Sequence, residues 1–85
     1  MFTKQGWDDY LTLREADAKA HSKLDALIAE CRRSPFHGTG KPELLRESLK
    51  GWWSRRVSQE HRLVYRVVGS GETQMLEIAQ CRLHY

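Results

Sequence analysis

The hydrophobic positions of the first forty residues recur at the spacing of an α-helix. Trp7, Tyr10 and Leu11 stand at positions i, i+3 and i+4, which predicts a short first helix. Asp17 is a residue type that caps helix N-termini, so we expect a longer second helix to follow it. This second helix should end at Ser34-Pro35, because a residue before proline avoids the helical conformation. Its predicted apolar stripe consists of Leu24, Leu27, Ile28 and Cys31.

After residue 51 the hydrophobic pattern alternates, which is typical of β-strands. In the last predicted strand Leu76 and Ile78 should share one face. The predicted strands, joined by turns at residues 58–60 and 69–71, cover residues 52–57, 62–68 and 75–81.

The segment between the helices and the strands contains a predicted loop at Phe36–Gly40. We expect a one-turn helix at Lys41–Leu45, because Pro42 and Glu43 suit the first turn of a helix. The whole pattern predicts a single α+β domain over residues 1–85. In this domain two N-terminal helices pack on one face of a small, mainly antiparallel, twisted sheet.

The length of 85 residues allows one small domain with a thin core, so any catalysis must occur on an open face. No apolar run approaches the roughly 20 residues of a membrane span, and the N-terminus lacks the apolar region of a signal peptide. Cys31 and Cys81 do not have the spacing of a disulfide framework or a CxxC motif. We therefore expect a cytoplasmic protein in which both cysteines are reduced core residues.

The positive charge of the chain is concentrated in residues 41–66, which hold seven basic residues against three acidic ones. The net charge of the whole chain is +3. The basic segment also contains Trp52, Trp53 and Tyr65, and such a mixture suits phosphate backbones and stacked bases. A solvated basic sheet face with the tryptophans in the core fits equally well. Since neighbouring strand residues face opposite sides, only one of Trp52 and Trp53 can face the core, and the other should lie at an interface or stack on a partner.

One chemistry that the available residues suit is RNA cleavage without a metal. It needs a base for the 2′-hydroxyl, an acid for the leaving 5′-oxygen and a cation for the phosphate. Glu43, His84 and Arg62 would supply these groups if the fold brings them together, which their spacing does not establish. The sequence has no GxSxG, P-loop, HExxH or zinc-ligand spacing and no cluster of carboxylates in the basic segment. We therefore expect neither a metal nor another cofactor.

Six short motifs, in this order and over nearly the whole chain, resemble the YoeB (Txe/YoeB) toxins of the RelE/ParE superfamily. The motifs are Trp7–Leu11, Arg32–Phe36, Gly38–Glu43, Gly51–Arg56, Glu60–Tyr65 and the terminal His84-Tyr85.

The resemblance implies a RelE-like, microbial RNase-like fold and a specific activity. Members of the family are ribosome-dependent mRNA endonucleases (mRNA interferases) that cut the codon in the ribosomal A site and stop translation. A YefM-type antitoxin holds them inactive, and the pair represses its own operon. The resemblance thus implies the ribosome, mRNA and an antitoxin as partners, operator DNA only through the antitoxin complex, a possible homodimer and no membrane contact.

The resemblance also implies roles for particular residues. The general base of the family falls on Glu43, its phosphate-stabilising arginine on Arg62, its general acid on His84 and its terminal ring on Tyr85. The predicted substrate-binding residues are Arg46, Arg56, Arg55 and Lys41.

Two departures from the family pattern affect the expected structure. Leu44 stands where the family usually has proline, so we expect the segment to hold Glu43 less firmly. The N-terminus is a few residues shorter than in the family, so we expect the first edge strand to be stunted or missing.

Two alternative functions, and the environments of three histidines, stay open at this point. The alternatives to an mRNA endonuclease are a ParE-like gyrase-binding toxin and a basic RNA- or ribosome-binding module that does not cut. His37 and His61 should be solvent-facing turn residues, with His61 the next candidate for the acid if His84 is not. If His84 is the acid, we expect two anchors for it: the last strand through Cys81 and Leu83, and Tyr85. The terminal carboxylate of Tyr85 would pair with a nearby arginine such as Arg56 or Arg62.

Overall fold

The two helices of the described region are capped by side chains in the way that their sequence suggests. The computed structural model describes residues 1–83, in which α1 spans Lys4–Ala16 and α2 spans Ala18–Arg33. The hydroxyl of Thr3 accepts a hydrogen bond from the Gly6 N–H, and the carboxylate of Asp17 accepts one from the Ala20 N–H, both at 3.0 Å. The predicted cap at Asp17 is confirmed, whereas α1 is longer than the predicted short helix.

Within residues 1–83, four strands form one antiparallel sheet in the order β1-β2-β3-β4. The strands are β1 (Glu43–Leu44), β2 (Trp53–Arg56), β3 (Arg62–Val68) and β4 (Met75–Gln80). The two helices pack against this sheet, so the predicted fold class is confirmed.

The one-turn helix predicted at Lys41–Leu45 is wrong, because this segment forms the edge strand β1. The Leu45 N–H donates to the Trp52 carbonyl at 2.9 Å, and Glu43 lies opposite Ser54 on β2. Pairing with β2 thus satisfies backbone groups that an isolated turn of helix would leave without partners.

In place of a full N-terminal edge strand, residues 1–83 contain a single bridge, which agrees with the stunted strand expected from the sequence. Phe2 pairs in parallel with Ile78 on β4. The Ile78 N–H donates to the Met1 carbonyl at 2.8 Å, and the Thr3 N–H donates to the Ile78 carbonyl at 2.9 Å. These bonds protect the edge of β4 before α1 begins.

The core lies between the helices and one face of the sheet. Burial raises the pKa of Cys81 to about 12 and raises that of Cys31, and both thiols are free, as predicted. No helix in the described part of the chain has the length and apolar character needed to cross a membrane. The core residues are Leu13, Ala20, Leu24, Leu27, Cys31, Val57, Leu63, Tyr65, Ile78 and Cys81.

The two adjacent tryptophans have different environments. Trp53 packs against the core and contacts the ring of Phe36, with 4.8 Å between ring centroids. Trp52 lies beneath the guanidinium of Arg66, whose Cζ is 4.4 Å from the ring centroid. Arg66 therefore occupies the stacking position that sequence analysis assigned to a partner.

Candidate active site

The face of the sheet that points away from the helices, called here the far face, carries the predicted base and phosphate-binding residues. Glu43 lies opposite Ser54, and Ser54 lies opposite Val64. Directly opposed residues in an antiparallel sheet share a face. Since Leu63 and Tyr65, the neighbours of Val64 along β3, belong to the core, this row of residues belongs to the far face.

Two arginines lie next to this row on the same face. Arg56 and Arg62 are directly opposed on β2 and β3, two residues along from Ser54 and Val64. Arg56 is exposed and Arg62 is half-buried. Among residues 1–83 no carboxylate lies within ion-pair distance of either guanidinium. The far face therefore presents two adjacent positive charges.

The spacing of Glu43 and Arg62 suits a substrate that bridges them. Glu43 on β1 and Arg62 on β3 are separated by the intervening strand β2 and are offset by two residues along the strand direction. At ordinary sheet spacings this corresponds to about 12 Å between their Cα atoms. Glu43 is exposed and Arg62 is partly exposed.

Arg55 does not belong to the far face, and its predicted role in substrate binding is corrected by its burial. The side chain has no exposed surface. Its guanidinium contacts Glu30 at 2.8 Å and the Tyr65 hydroxyl at 3.1 Å. It also donates to three backbone carbonyls, those of Ser34, His37 and Thr39. Because every donor is used inside the fold, Arg55 cannot contact RNA.

The burial of Arg55 instead fixes the loop that leads to the predicted base. The Thr39 N–H donates to Glu30, and this bond, together with the Arg55 guanidinium, holds the pKa of Glu30 below its usual value. The Gly40 carbonyl accepts the Arg56 N–H at 2.7 Å. A Cβ at Gly40 would come within 3.0 Å of the Arg56 carbonyl, so this close approach requires glycine. The loop thereby reaches β1 in a defined position.

The other predicted substrate-binding residues flank β1. Lys41 and Arg46 are exposed on either side of Glu43 and Leu44. Lys41 has a left-handed backbone, with φ of 54°, where the chain turns from the loop into the strand. Both cations are therefore available to a ligand on this edge of the sheet.

The beginning of the C-terminal tail lies beside Arg62. The Arg62 N–H donates to the Leu83 carbonyl at 3.1 Å, so the expected anchoring through Leu83 is found up to that residue. The predicted acid His84 and the predicted terminal ring Tyr85 lie outside the described residues. Leu83, which precedes His84 in the chain, is the last described residue and lies next to Arg62.

His61 differs from its predicted position in a solvent-facing turn. It is 7% exposed, and its Nδ1 accepts the Leu83 N–H at 2.9 Å. The partner lies 22 residues away along the chain, so no local pattern in the sequence could reveal it. His37 is exposed, as predicted.

No group of three or more His, Cys, Asp or Glu residues suited to a metal ion is found within residues 1–83. On the far face the sheet places Glu43, Arg56 and Arg62 together.

Comparison with known proteins identifies the family. Residues 2–85 match the model of the YoeB-like toxin of bacterial type II toxin–antitoxin systems. Toxin YoeB of Escherichia coli K12 is 47% identical over 85 residues, covering 100% of this chain and 96% of that protein.

Solved structures agree with this match. The YoeB/ParE toxin from Agrobacterium tumefaciens superposes with a TM-score of 0.93 at 49% identity, covering 100% of this chain and 96% of that one. YoeB from Staphylococcus aureus, solved in a heterotetrameric complex with YefM and as a dimer, gives TM-scores of 0.86 and 0.85 at 37% identity, covering 100% of this chain and 94% of each. The match over the whole described fold, at this identity, means that the chain belongs to the YoeB-like toxins of bacterial type II toxin–antitoxin systems.

Proposed function

We propose that this chain is a ribosome-dependent endoribonuclease that cleaves mRNA in the ribosomal A site and thereby inhibits translation. The observation that carries the proposal is the pair of directly opposed arginines, Arg56 and Arg62, on the same face as Glu43. Their charge suits a phosphodiester and its transition state, and the carboxylate suits a proton acceptor.

The proposed reaction is an attack of the 2′-hydroxyl on the adjacent phosphorus. Glu43 accepts the proton of the hydroxyl as the O2′–P bond forms. Arg62, with Arg56 beside it, stabilises the charge that develops on the non-bridging oxygens. As the P–O5′ bond breaks, His84 donates a proton to the leaving oxygen. The products are a 2′,3′-cyclic phosphate and a 5′-hydroxyl end.

The ribosome would position the substrate, because the predicted groups lie on an exposed surface. Glu43, Lys41, Arg46 and Arg56 are all exposed, and an RNA strand that lies across them is free to move. Fixing the reacting groups in a near-attack geometry contributes a large part of such a rate enhancement. A protein that acts on the ribosome acts in the cytoplasm.

The proposed regulatory partner is a YefM-type antitoxin, as in the Staphylococcus aureus complex. An acidic segment that folds on binding is expected to cover the basic residues 41–66 and to displace the tail that carries His84. Contact with operator DNA would occur only through this complex. A homodimer is the expected state of the free toxin, as in the Staphylococcus aureus dimer.

The experiment that tests the proposal is a cleavage assay on ribosomes programmed with a defined mRNA. Wild-type protein should give codon-phased cuts in the A site, and naked RNA should be cut slowly and without phase. Glu43→Gln, Arg62→Ala and His84→Ala should each lower the single-turnover rate by about 10²-fold or more. EDTA should leave cleavage of a pre-bound RNA substrate unchanged.

Three results would contradict the proposal. Equal cleavage with and without ribosomes would remove the ribosome from the mechanism. Absence of cleavage together with inhibition of DNA gyrase would favour the ParE-like alternative. Ribosome binding without cleavage would favour a binding module.

A further inference from the structure

His61 occupies a position where both its backbone and its ring are fixed by hydrogen bonds. Its carbonyl accepts the N–H groups of Val57 and Ser58, at 3.0 and 3.2 Å, which closes the turn between β2 and β3. Its own N–H donates to the Ser58 hydroxyl at 3.2 Å. The imidazole is therefore attached to a closed turn and cannot move far from it.

The ring of His61 and the backbone of Arg62 together hold one residue of the C-terminal tail. The Leu83 N–H donates to His61 Nδ1 at 2.9 Å, and the Leu83 carbonyl accepts from the Arg62 N–H at 3.1 Å. Leu83 has a left-handed backbone, with φ of 62°, which non-glycine residues avoid. The two bonds thus stabilise a conformation that the tail would otherwise leave.

The side chain of Leu83 is only partly packed. Leu83 is 48% exposed, so its side chain buries only part of its apolar surface. The position of its backbone depends instead on the acceptor nitrogen of His61 and on the donor of Arg62.

We propose that His61 is a positioning residue that acts through Leu83 on His84. The catalytic meaning of this inference rests on the proposed function, in which His84 is the general acid. A histidine that accepts at Nδ1 carries its proton on Nε2. His61 thereby fixes Leu83, the residue that precedes His84 in the chain, beside Arg62.

Two amide variants separate the acceptor from the rest of the side chain. In His61→Asn the amide oxygen can lie near the position of Nδ1, so the bond from the Leu83 N–H is retained. In His61→Gln the amide reaches the position of Nε2 instead, and the Leu83 N–H is left without its acceptor. Both variants remove the ring and add a polar amide, so each is the control for the other.

The expected result is a difference between these variants in the chemical step. His61→Gln should lower the single-turnover cleavage rate on programmed ribosomes by at least about 10-fold, since small displacements of a reacting group have large effects. His61→Asn should stay within about 3-fold of the wild type, and ribosome affinity should be unchanged in both. Equal rates in the two variants, or a slower Asn variant, would overturn the inference.

A second measurement decides whether the hydrogen bond exists even if cleavage fails or a variant does not fold. In the wild-type protein, NMR should show His61 as the Nε2–H tautomer and the Leu83 amide as protected from hydrogen exchange. The Nδ1–H tautomer or an unprotected Leu83 amide would overturn the inference. A protected amide in a wild-type protein that does not cleave would leave the hydrogen bond in place and contradict the proposed function alone.

Discussion

Arg56 on β2 lies directly opposite Arg62 on β3, at the end of the ladder that joins the two strands. Like charges in this position destabilise a sheet. A third arginine of the same sheet is treated differently, because Arg66 contacts Glu77 at 2.6 Å and stacks on Trp52. Within residues 1–83 the first two charges have no such partner, an arrangement that suits an anionic ligand.

Removing either charge of the opposed pair should weaken RNA binding without weakening the fold. Arg56→Ala should lower the slope of log affinity against log salt concentration by about 1, since one phosphate contact is lost. The free energy of unfolding should stay the same or rise slightly, because the repulsion between Arg56 and Arg62 is relieved. Filter binding to short RNA over a salt series and urea denaturation measure the two effects.

Arg66→Ala is the matched control for this prediction. Arg66 is already engaged by Glu77 and Trp52, so its removal should change the salt dependence much less. An equal loss of slope in Arg66→Ala would show that the effect reflects net charge alone and not the opposed pair.

The helices and the three longer strands were predictable from the sequence, because each is long enough to show a regular spacing of its hydrophobic residues. The strand β1 was not predictable, because a strand of two residues is too short to show an alternating hydrophobic pattern. The Pro42-Glu43 pair also suits the start of a helix. Pairing with Ser54 and Trp53, which are distant in sequence, decides its conformation.

The candidate site was predictable in part. The alternation of β2 already placed Arg55 with Trp53 and Val57, so its burial follows from the pattern, although the charge of the segment suggested a substrate contact. The contact between His61 and Leu83 depends on how the tail folds back over β3, and no local pattern reports it.

Loss of the buried guanidinium should destabilise the protein strongly. Arg55→Met leaves three loop carbonyls without their donor, which should cost about 1–3 kcal/mol of unfolding free energy. Arg55→Lys keeps the charge but cannot reach all of these acceptors, so it should also be clearly destabilised. Urea denaturation measures both, and a wild-type stability of Arg55→Met would contradict the structural role assigned to Arg55.

The stability of the fold should decrease at alkaline pH. Burial raises the pKa of Cys81 from 9.0 to about 12 and that of Tyr65 from 10.0 to about 12. The unfolded chain therefore ionises first, so this contribution to stability is complete below pH 9 and is lost progressively up to about pH 12. Urea midpoints measured from pH 8 upward should show the decline.

Cys81→Ala tests the origin of this decline. The variant should lose less stability between pH 9 and pH 11 than the wild type, whatever its stability at pH 8. Ser22→Ala, an exposed change on α2 that removes no titrating group, should follow the wild-type curve. The same steep decline in Cys81→Ala would show that other groups cause it.

Restoring the proline usual in the family at position 44 should be tolerated, because of how β1 pairs with β2. The Leu45 N–H donates to the Trp52 carbonyl, and Glu43 lies opposite Ser54. In this register the N–H of Leu44 points away from β2. Since β1 is an edge strand, proline there removes no ladder hydrogen bond, and it favours an extended backbone at the preceding Glu43. Leu44 is 53% exposed, so little buried surface is lost.

Leu44→Pro should therefore keep or raise the free energy of unfolding, by up to about 1 kcal/mol, and should raise the single-turnover cleavage rate if Glu43 is the base. Leu44→Ala, which shortens the side chain without restricting the backbone, should do neither. A Leu44→Pro variant destabilised by more than about 1 kcal/mol would show that the Leu44 N–H is needed inside the sheet.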